Sequence, residues 1–272
     1  MTSKQPEPHE TRRTSDGAPL MIACDIDGTL LRTGRPPTPA VRHATQEVLR
    51  AGHHIVLATG RSVKGAVSAA LQLGLRDVWM VTSNGAVTAH LVGEHYQVVE
   101  EHAVDAAAVI GIALREAPAV RVAAEIVGVG WRVSAPFPGH ELNGAQRQAP
   151  LDEFLANPTP RIALHGPDAY RMVPALIAQG VTAIATRLDW VDVTPPQISK
   201  ASALEKVRIE LGVDTERTVA IGDGENDIEM FGWAARAVGM GHASPFVLAA
   251  ATHRTGSLDD EGAASALLSL LG

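Results

Sequence analysis

The sequence predicts an α/β protein: a doubly wound, Rossmann-like parallel sheet interrupted by an inserted α+β cap domain. Three observations lead there. Five short apolar runs, at residues 20–24, 54–58, 78–82, 218–222 and 236–239, each end in a polar or glycine-rich turn. Helical patterns lie between several of them, and strands that alternate with helices specify a parallel sheet. Between residues 87 and 193 the pattern changes to strand-like pieces close enough for antiparallel pairing, with helical stretches between them.

In chain order, "LMIAC" is the first strand. Thr38 then reads as an N-cap with Pro39 in the first turn, Val41, Ala44, Val48 and Leu49 supply one apolar face, and Gly52 stops the helix. "HIVLA" is the second strand, and residues 62–73 repeat the helical pattern before the third at 78–82. The insertion contains "YQVVEEHAV", "RVAAEIVGVGWRVSAPF", "PRIALHG" and "TAIATRLDWVDVTP" as strand material, with helices predicted at 106–116 and 169–179. "SAPFPGHELNGAQRQAP" reads as a proline and glycine loop. A helix at 201–211 leads into the fourth run. The division that results is a disordered tail at 1–19, a core at 20–86 and 194–272, and a cap at 87–193.

With 272 residues, 46% of them hydrophobic, the chain can fill one large core or two modest ones. No apolar stretch approaches the roughly 18 residues of a membrane span. The first 19 residues are charged, proline-rich and polar, without the apolar segment of a secretory signal. A single cysteine, Cys24, excludes an internal disulfide and points to a reducing cytoplasm; inside an apolar run it reads as a small core side chain. The formal charge of −7 offers no footprint for nucleic acid or for an anionic membrane, and a monomer or weak homo-oligomer is expected.

The chemistry lies at the ends of the runs. Asp25 and Asp27 follow the first, Thr59, Gly60 and Arg61 the second, Ser83 and Asn84 the third, and Asp223, Asn226 and Asp227 the fourth. In open α/β sheets ligands bind beyond the carboxyl ends of the strands, so these groups share one edge. Carboxylates so close together repel unless a cation is expected, and an oxygen-rich cluster suits magnesium. A hydroxyl beside a glycine turn can aim N–H groups at an anion, so a phosphate ligand fits as well. Neither "DIDGTLLRTGRP" nor "DGENDIEMFGWA" has the glycine and glutamate positions of a calcium-binding EF-hand loop.

"DIDGTLL", "ATGR", the lysine of "PPQISKASAL" and "GDGENDIEMF", in this order, resemble the four motifs of the haloacid dehalogenase superfamily. "SNGA", the long insertion and the ending "AVGMGHASPFVLAAATHRTGSLDDEGAASAL" are similar to the Cof-type (class IIB) sugar phosphatases. The resemblance covers about residues 20–272. It implies a magnesium-dependent phosphomonoester hydrolase acting on a small-molecule phosphate ester, a sugar phosphate by class. Asp25 would be the nucleophile that forms an aspartyl phosphate and Asp27 the general acid and base. Asp25, the backbone carbonyl of Asp27, Asp223 and Asp227, directly or through water, would hold Mg2+. Thr59, Gly60, Lys200 and Asn226 would cradle the phosphate. A dehalogenase lacks the second aspartate, so Asp27 argues against one. A phosphomannomutase-like phosphosugar mutase and a catalytically silent phosphate-binding protein stand as the alternatives.

Several residues have an ordinary role beside the functional one. Lys200 could be a surface lysine in a first helical turn, Asn226 and Asp227 could be helix caps, and Asn84 could serve a left-handed turn. Arg61 is open between substrate contact and offset of the nearby carboxylates. His53, His54, His90, His95 and His102 have no zinc-like spacing. In the cap, Arg171, Arg187, His165 and Trp190 could contact a sugar, though packing and surface roles are the simpler reading. His242, in "GMGHAS", stands where the Cof-type pattern has asparagine.

Overall fold

A computed structural model describes residues 17–138 and 141–272 of the chain. The tail expected at residues 1–19 lies, up to residue 16, outside the described residues. The core opens with β1 (Met21–Cys24), α1 (Pro39–Arg50), β2 (His54–Ala58), α2 (Val63–Leu73), β3 (Asp77–Thr82), β4 (Val87–Val92) and β5 (His95–Glu101). The chain then builds a second layer from α3 (Ala106–Glu116), β6 (Arg121–Ile126), β7 (Gly130–Val133), β8 (Ala145–Gln148), α4 (Leu151–Ala156), β9 (Ile162–His165), α5 (Val173–Ala178), β10 (Thr182–Arg187) and β11 (Trp190–Thr194). It returns to the core with α6 (Lys200–Glu210), β12 (Thr218–Gly222), α7 (Ile228–Trp233), β13 (Arg236–Gly239), α8 (Pro245–Ala250), β14 (His253–Arg254) and α9 (Gly262–Leu268).

The core sheet has eight strands in the order β14-β13-β12-β1-β2-β3-β4-β5, with β14 through β3 parallel. All five predicted runs are there. They read as continuous apolar runs because both faces of a parallel sheet are covered. Ile22 and Cys24 pack toward α1, α2 and α9, while Met21 and Ala23 pack toward α6, α7 and α8. The buried Cys24 thiol is free, as expected of a core side chain. Each buried Val, Leu or Ile in these layers contributes roughly 1.5–3 kcal/mol. The chain runs outward from β1 to one side and returns through β12 on the other, so β1 and β12 flank the topological switch point.

Helix α1 begins as read: the Thr38 hydroxyl accepts a hydrogen bond from the Val41 N–H at 3.2 Å, and Pro39 opens the first turn. Three expectations change. The hairpin β4–β5 belongs to the core sheet and not to the insertion, because β4 pairs antiparallel with β3 and buries Val87, Ala89 and Leu91 in the core. The insertion proper therefore starts beyond residue 101. The loop expected across "NGAQRQAP" contains β8, an exposed edge strand parallel to β7 whose polar side chains carry no alternating apolar signal. The helix expected at 169–179 is a 3-10 turn over Ala169–Met172 followed by the short α5, with Pro174 at its start.

The inserted domain is a six-stranded sheet, β10-β11-β9-β6-β7-β8, almost all antiparallel. Helices α3, α4 and α5 cover one face through a cluster that includes Phe154, Leu164 and Leu176. The other face carries Trp131, Phe137 and Trp190 and looks toward the carboxyl ends of the core strands. Among the described residues no helix is long and apolar enough to cross a membrane.

Candidate active site

Between the core strand ends and the inserted sheet lies a cavity of about 820 Å³. Asp25, Asp27, Thr59, Gly60, Asp223 and Asn226 all line it, so six of the eight sequence-predicted site residues meet there. Lys200 and Asp227 sit behind them, fully buried.

Asp25 ends β1, where its N–H donates to the Ile221 carbonyl of β12 at 2.9 Å. The Lys200 ammonium, from the first turn of α6, donates to Asp25 Oδ1 at 2.6 Å and to Asp227 Oδ1 at 2.7 Å. Lys200 is 1% exposed, so the surface reading fails. Its charge stabilises two carboxylates from behind. Asp227 Oδ2 accepts from the N–H groups of Asp223 and Gly224, each at 2.9 Å, and so shapes the loop after β12 as the capping reading expects.

Asp223 completes an acidic triad. One carboxylate oxygen from each of Asp25, Asp223 and Asp227 lies within 4.8 Å of the others. Thr29 donates to Asp223 Oδ1 at 2.9 Å, and His242 Nε2 stands 3.6 Å from Asp223 Oδ2. Gly28 is obligatory here. Its φ is +81°, and a Cβ would fall 2.2 Å from Asp223 Oδ2.

The electrostatics follow from burial and from this crowding. Burial pushes the Asp25 carboxyl well above the usual carboxylate range; Lys200 pulls it down, and Asp227 and Asp223 push it up again. Asp223 is raised by burial and then by Asp227, against the Thr29 hydrogen bond and the charges of His242 and Lys200. Burial would lower Lys200, but Asp227 and Asp25 outweigh it and the ammonium keeps its proton. Three carboxylates around one buried ammonium leave negative charge uncompensated, and a hard divalent cation suits that donor set.

Asp27 lives in another environment. Arg61 grips it with two bonds, Nε to Oδ2 at 2.5 Å and Nη2 to Oδ1 at 2.6 Å, and Thr33 donates to Oδ1 at 2.7 Å. Burial would raise its carboxyl, yet the Arg61 bonds, the Arg61 charge and Thr33 prevail and hold it below the ordinary value. Arg61 therefore offsets a nearby carboxylate, and it also lines the cavity, within which its other reading, substrate contact, would fall.

The turn after β2 is pinned to the turn after β3. The Asn84 N–H donates to the Thr59 carbonyl at 3.1 Å and the Ser83 N–H to the Arg61 carbonyl at 2.8 Å. Ser83 and Asn84 both have positive φ, 51° and 54°, so the left-handed turn exists. Asn84 lines the cavity as well and accepts from Asn226 Nδ2 at 2.9 Å, so both readings of it hold. Thr59 Oγ1 accepts the Arg61 N–H at 3.1 Å, which frees the hydroxyl proton for another acceptor.

Of the cap residues weighed, Arg187 and Trp190 line the cavity. His165 packs against Phe137 and Trp190, and Arg171 lies over the Tyr170 ring. Sequence reasoning missed Thr29, Thr33, Glu125 and Arg161. Thr29 was findable inside "DIDGT"; the other three carry no local signal, since their partners are distant or lie outside any pattern.

A family model described as haloacid dehalogenase-like hydrolase matches residues 22–113 and 170–267. This chain belongs to the haloacid dehalogenase-like hydrolases. A phosphoglycolate phosphatase of Haloarcula marismortui is 27% identical to this hydrolase, over 91% of the chain and 95% of the relative. A 5-amino-6-(5-phospho-D-ribitylamino)uracil phosphatase of Bacillus subtilis is 26% identical, over 91% and 94%. The solved structure of a subclass IIB sugar phosphatase superposes with a TM-score of 0.79 at 22% identity, covering 92% of this chain and 98% of its own. The hydrolase therefore has the family expected from its motifs, and the superposition shows the same fold.

Proposed function

We propose that this hydrolase is a magnesium-dependent phosphatase that releases phosphate from a small phosphorylated metabolite, a sugar phosphate by class, through an aspartyl phosphate on Asp25. The observation that carries this reading is the convergence of Asp25, Asp27 and Asp223 with the Thr59–Gly60 turn on one cavity. Asp25 offers its second oxygen to phosphorus, because Lys200 already holds Oδ1. The P–O bond to the leaving group breaks as the new bond forms. Asp27 gives its proton to the departing oxygen and later takes one from the water that cleaves the intermediate, which returns Asp25 and inorganic phosphate. Arg61 must yield at least one of its two bonds before Asp27 can carry that proton. The Thr59 hydroxyl, the Gly60 N–H and Asn226 orient the phosphoryl oxygens.

Asp25, Asp223 and the Asp27 backbone carbonyl would hold Mg2+. Asp227 would act indirectly, since Lys200 and two backbone N–H groups already occupy its oxygens. When bound, magnesium lets an anionic nucleophile approach an anionic phosphate and offsets charge on the transferring group. The two relatives act, by name, on esters as unlike as phosphoglycolate and a ribitylaminouracil phosphate at nearly equal identity. The leaving group is then chosen by the cavity wall of the cap, where Trp131, Trp190, Asp192, Arg187 and Glu141 offer ring faces and hydrogen-bonding groups suited to a polyhydroxylated molecule. The lone buried Cys24 supports a cytoplasmic home, and the negative charge supports a small-molecule partner over nucleic acid or membrane.

The test is phosphate release over a panel of sugar phosphates, nucleotides and other small esters. Wild type with magnesium should release phosphate, and chelator should stop it. Asp25→Asn should lower the rate at least about 10³-fold, since the covalent route is lost. Isomerised sugar phosphate without free phosphate would replace this reading with a mutase. Equal, negligible turnover by wild type and Asp25→Asn would leave a binding protein.

A further inference from the structure

A second buried charged cluster joins the inserted domain to the core. Arg161, just before β9, is buried. Its Nε donates to Glu125 Oε2 at 3.1 Å, its Nη1 donates to the carbonyl of Gly60, and the same nitrogen lies 3.7 Å from Asp192 Oδ2. The guanidinium stands over the Trp131 ring, 4.7 Å from its centre. Glu125, on β6, also accepts the hydroxyl of Ser83 at 2.7 Å. The cap thus grips two neighbouring core turns, at the ends of β2 and β3, with one cation and one carboxylate.

The Gly60 carbonyl belongs to the same peptide unit as the Arg61 N–H, which donates to Thr59 Oγ1. A charged donor on that carbonyl polarises the peptide and strengthens the bond at its other end. It also fixes the direction of a turn that has glycine at its centre. We propose that Arg161 is a positioning residue for the phosphoryl-binding turn: through the Gly60 carbonyl, and with Glu125 holding Ser83, it sets the shape in which Thr59 and Gly60 meet an oxyanion. The cap is then a working part of the phosphate site and not solely the wall that meets the leaving group. This inference rests on the phosphatase reading above.

Its signature is indifference to the leaving group. A residue that shapes the phosphoryl site affects every ester alike and affects a transition-state mimic that has no leaving group. A residue that contacts the leaving group does neither. The experiment uses the full chain with magnesium and measures inhibition by orthovanadate, kcat/KM for a small and a large phosphate ester, and the melting temperature.

Arg161→Met would strand Glu125 and Asp192 as buried charges. The double variant Arg161→Met/Glu125→Gln removes both members of the main pair, and Arg161→Lys retains the charge but cannot bond Gly60 and Glu125 together. In the double variant kcat/KM should fall about 10²-fold for both esters, the scale of a loosened reacting geometry. The vanadate inhibition constant should rise at least about tenfold, with Arg161→Lys intermediate at an unchanged melting temperature. Unchanged vanadate inhibition in Arg161→Lys and in the double variant, or a loss confined to one ester, would overturn the proposal. An inert wild type would instead overturn the phosphatase reading, so the two failures are separable.

Discussion

Two buried clusters in this molecule have the same charge count and opposite fates. In the core, Lys200 lies between Asp25 and Asp227; in the cap, Arg161 lies between Glu125 and Asp192. The cap cluster borders the same cavity through Arg161 and Asp192, and its charges also meet neutral partners: the Ser83 hydroxyl, the Gly60 carbonyl, the Trp190 N–H and the Trp131 face. What the core cluster has in addition is a third carboxylate, Asp223, within reach of the other two, and it too lines the cavity. One cation between two acids makes a structural joint when neutral groups complete it. With a further acid within reach it has the donor set that a second cation would need.

The sharpest way to break this comparison is to remove the cation of the core cluster. Lys200→Met should cost about 3–5 kcal/mol in a urea unfolding titration without magnesium, because two buried carboxylates lose their shared partner. A loss under about 1 kcal/mol would mean that the carboxylates are already protonated and the cluster holds no excess charge.

A smaller effect tests the opening on the cavity side. Gly28→Ala places a methyl group against Asp223 and asks for a left-handed backbone from a residue that resists it. Magnesium affinity, read from activity against free metal, should drop about 10–100-fold, as when groups that orient a metal ligand are disturbed. Unchanged affinity would remove Asp223 from the metal site.

The smallest effect is a pH trend. Asp25 and Asp223 are raised in the folded state, so the unfolded chain gives up these protons first. Metal-free stability from these groups therefore falls as pH rises from the ordinary carboxylate value of about 4 through their raised values. Asp27 has the opposite sign, since its depressed carboxyl stabilises the fold above the ordinary range and loses that effect as pH falls through its folded value. Magnesium held at the proposed site would offset the first pair, so the rise in melting temperature on adding it should grow with pH. A constant rise across that window would show that the cation binds elsewhere.

Much of the site was legible because its leading residue on each of three strands follows an apolar run directly. Asp25, Thr59 and Asp223 are what remains when strands covered on both faces reach the sheet edge. The hairpin 87–101 was misassigned for a related reason: "VTAHLV" declares a buried strand but not the sheet that buries it. Strand β8 is fully exposed and polar, so no pattern marks it. Lys200 was legible as a site residue, while its place behind Asp25 was not, because depth in a cluster is set by the packing of α6 on the sheet.

By itself the sequence determined the family, the parallel core and the acids and hydroxyl along its edge, since periodicity and turn residues are local and the motifs keep their order. Only the tertiary structure decided how those acids differ and what the cap contributes. Asp25 and Asp27 stand two residues apart, yet one is crowded by burial and like charge and the other is clasped by Arg61. Arg161 meets Gly60 across 101 positions. Electrostatic environments and joints of this kind depend on what the fold brings within a few ångströms, and separation along the chain carries no record of that distance.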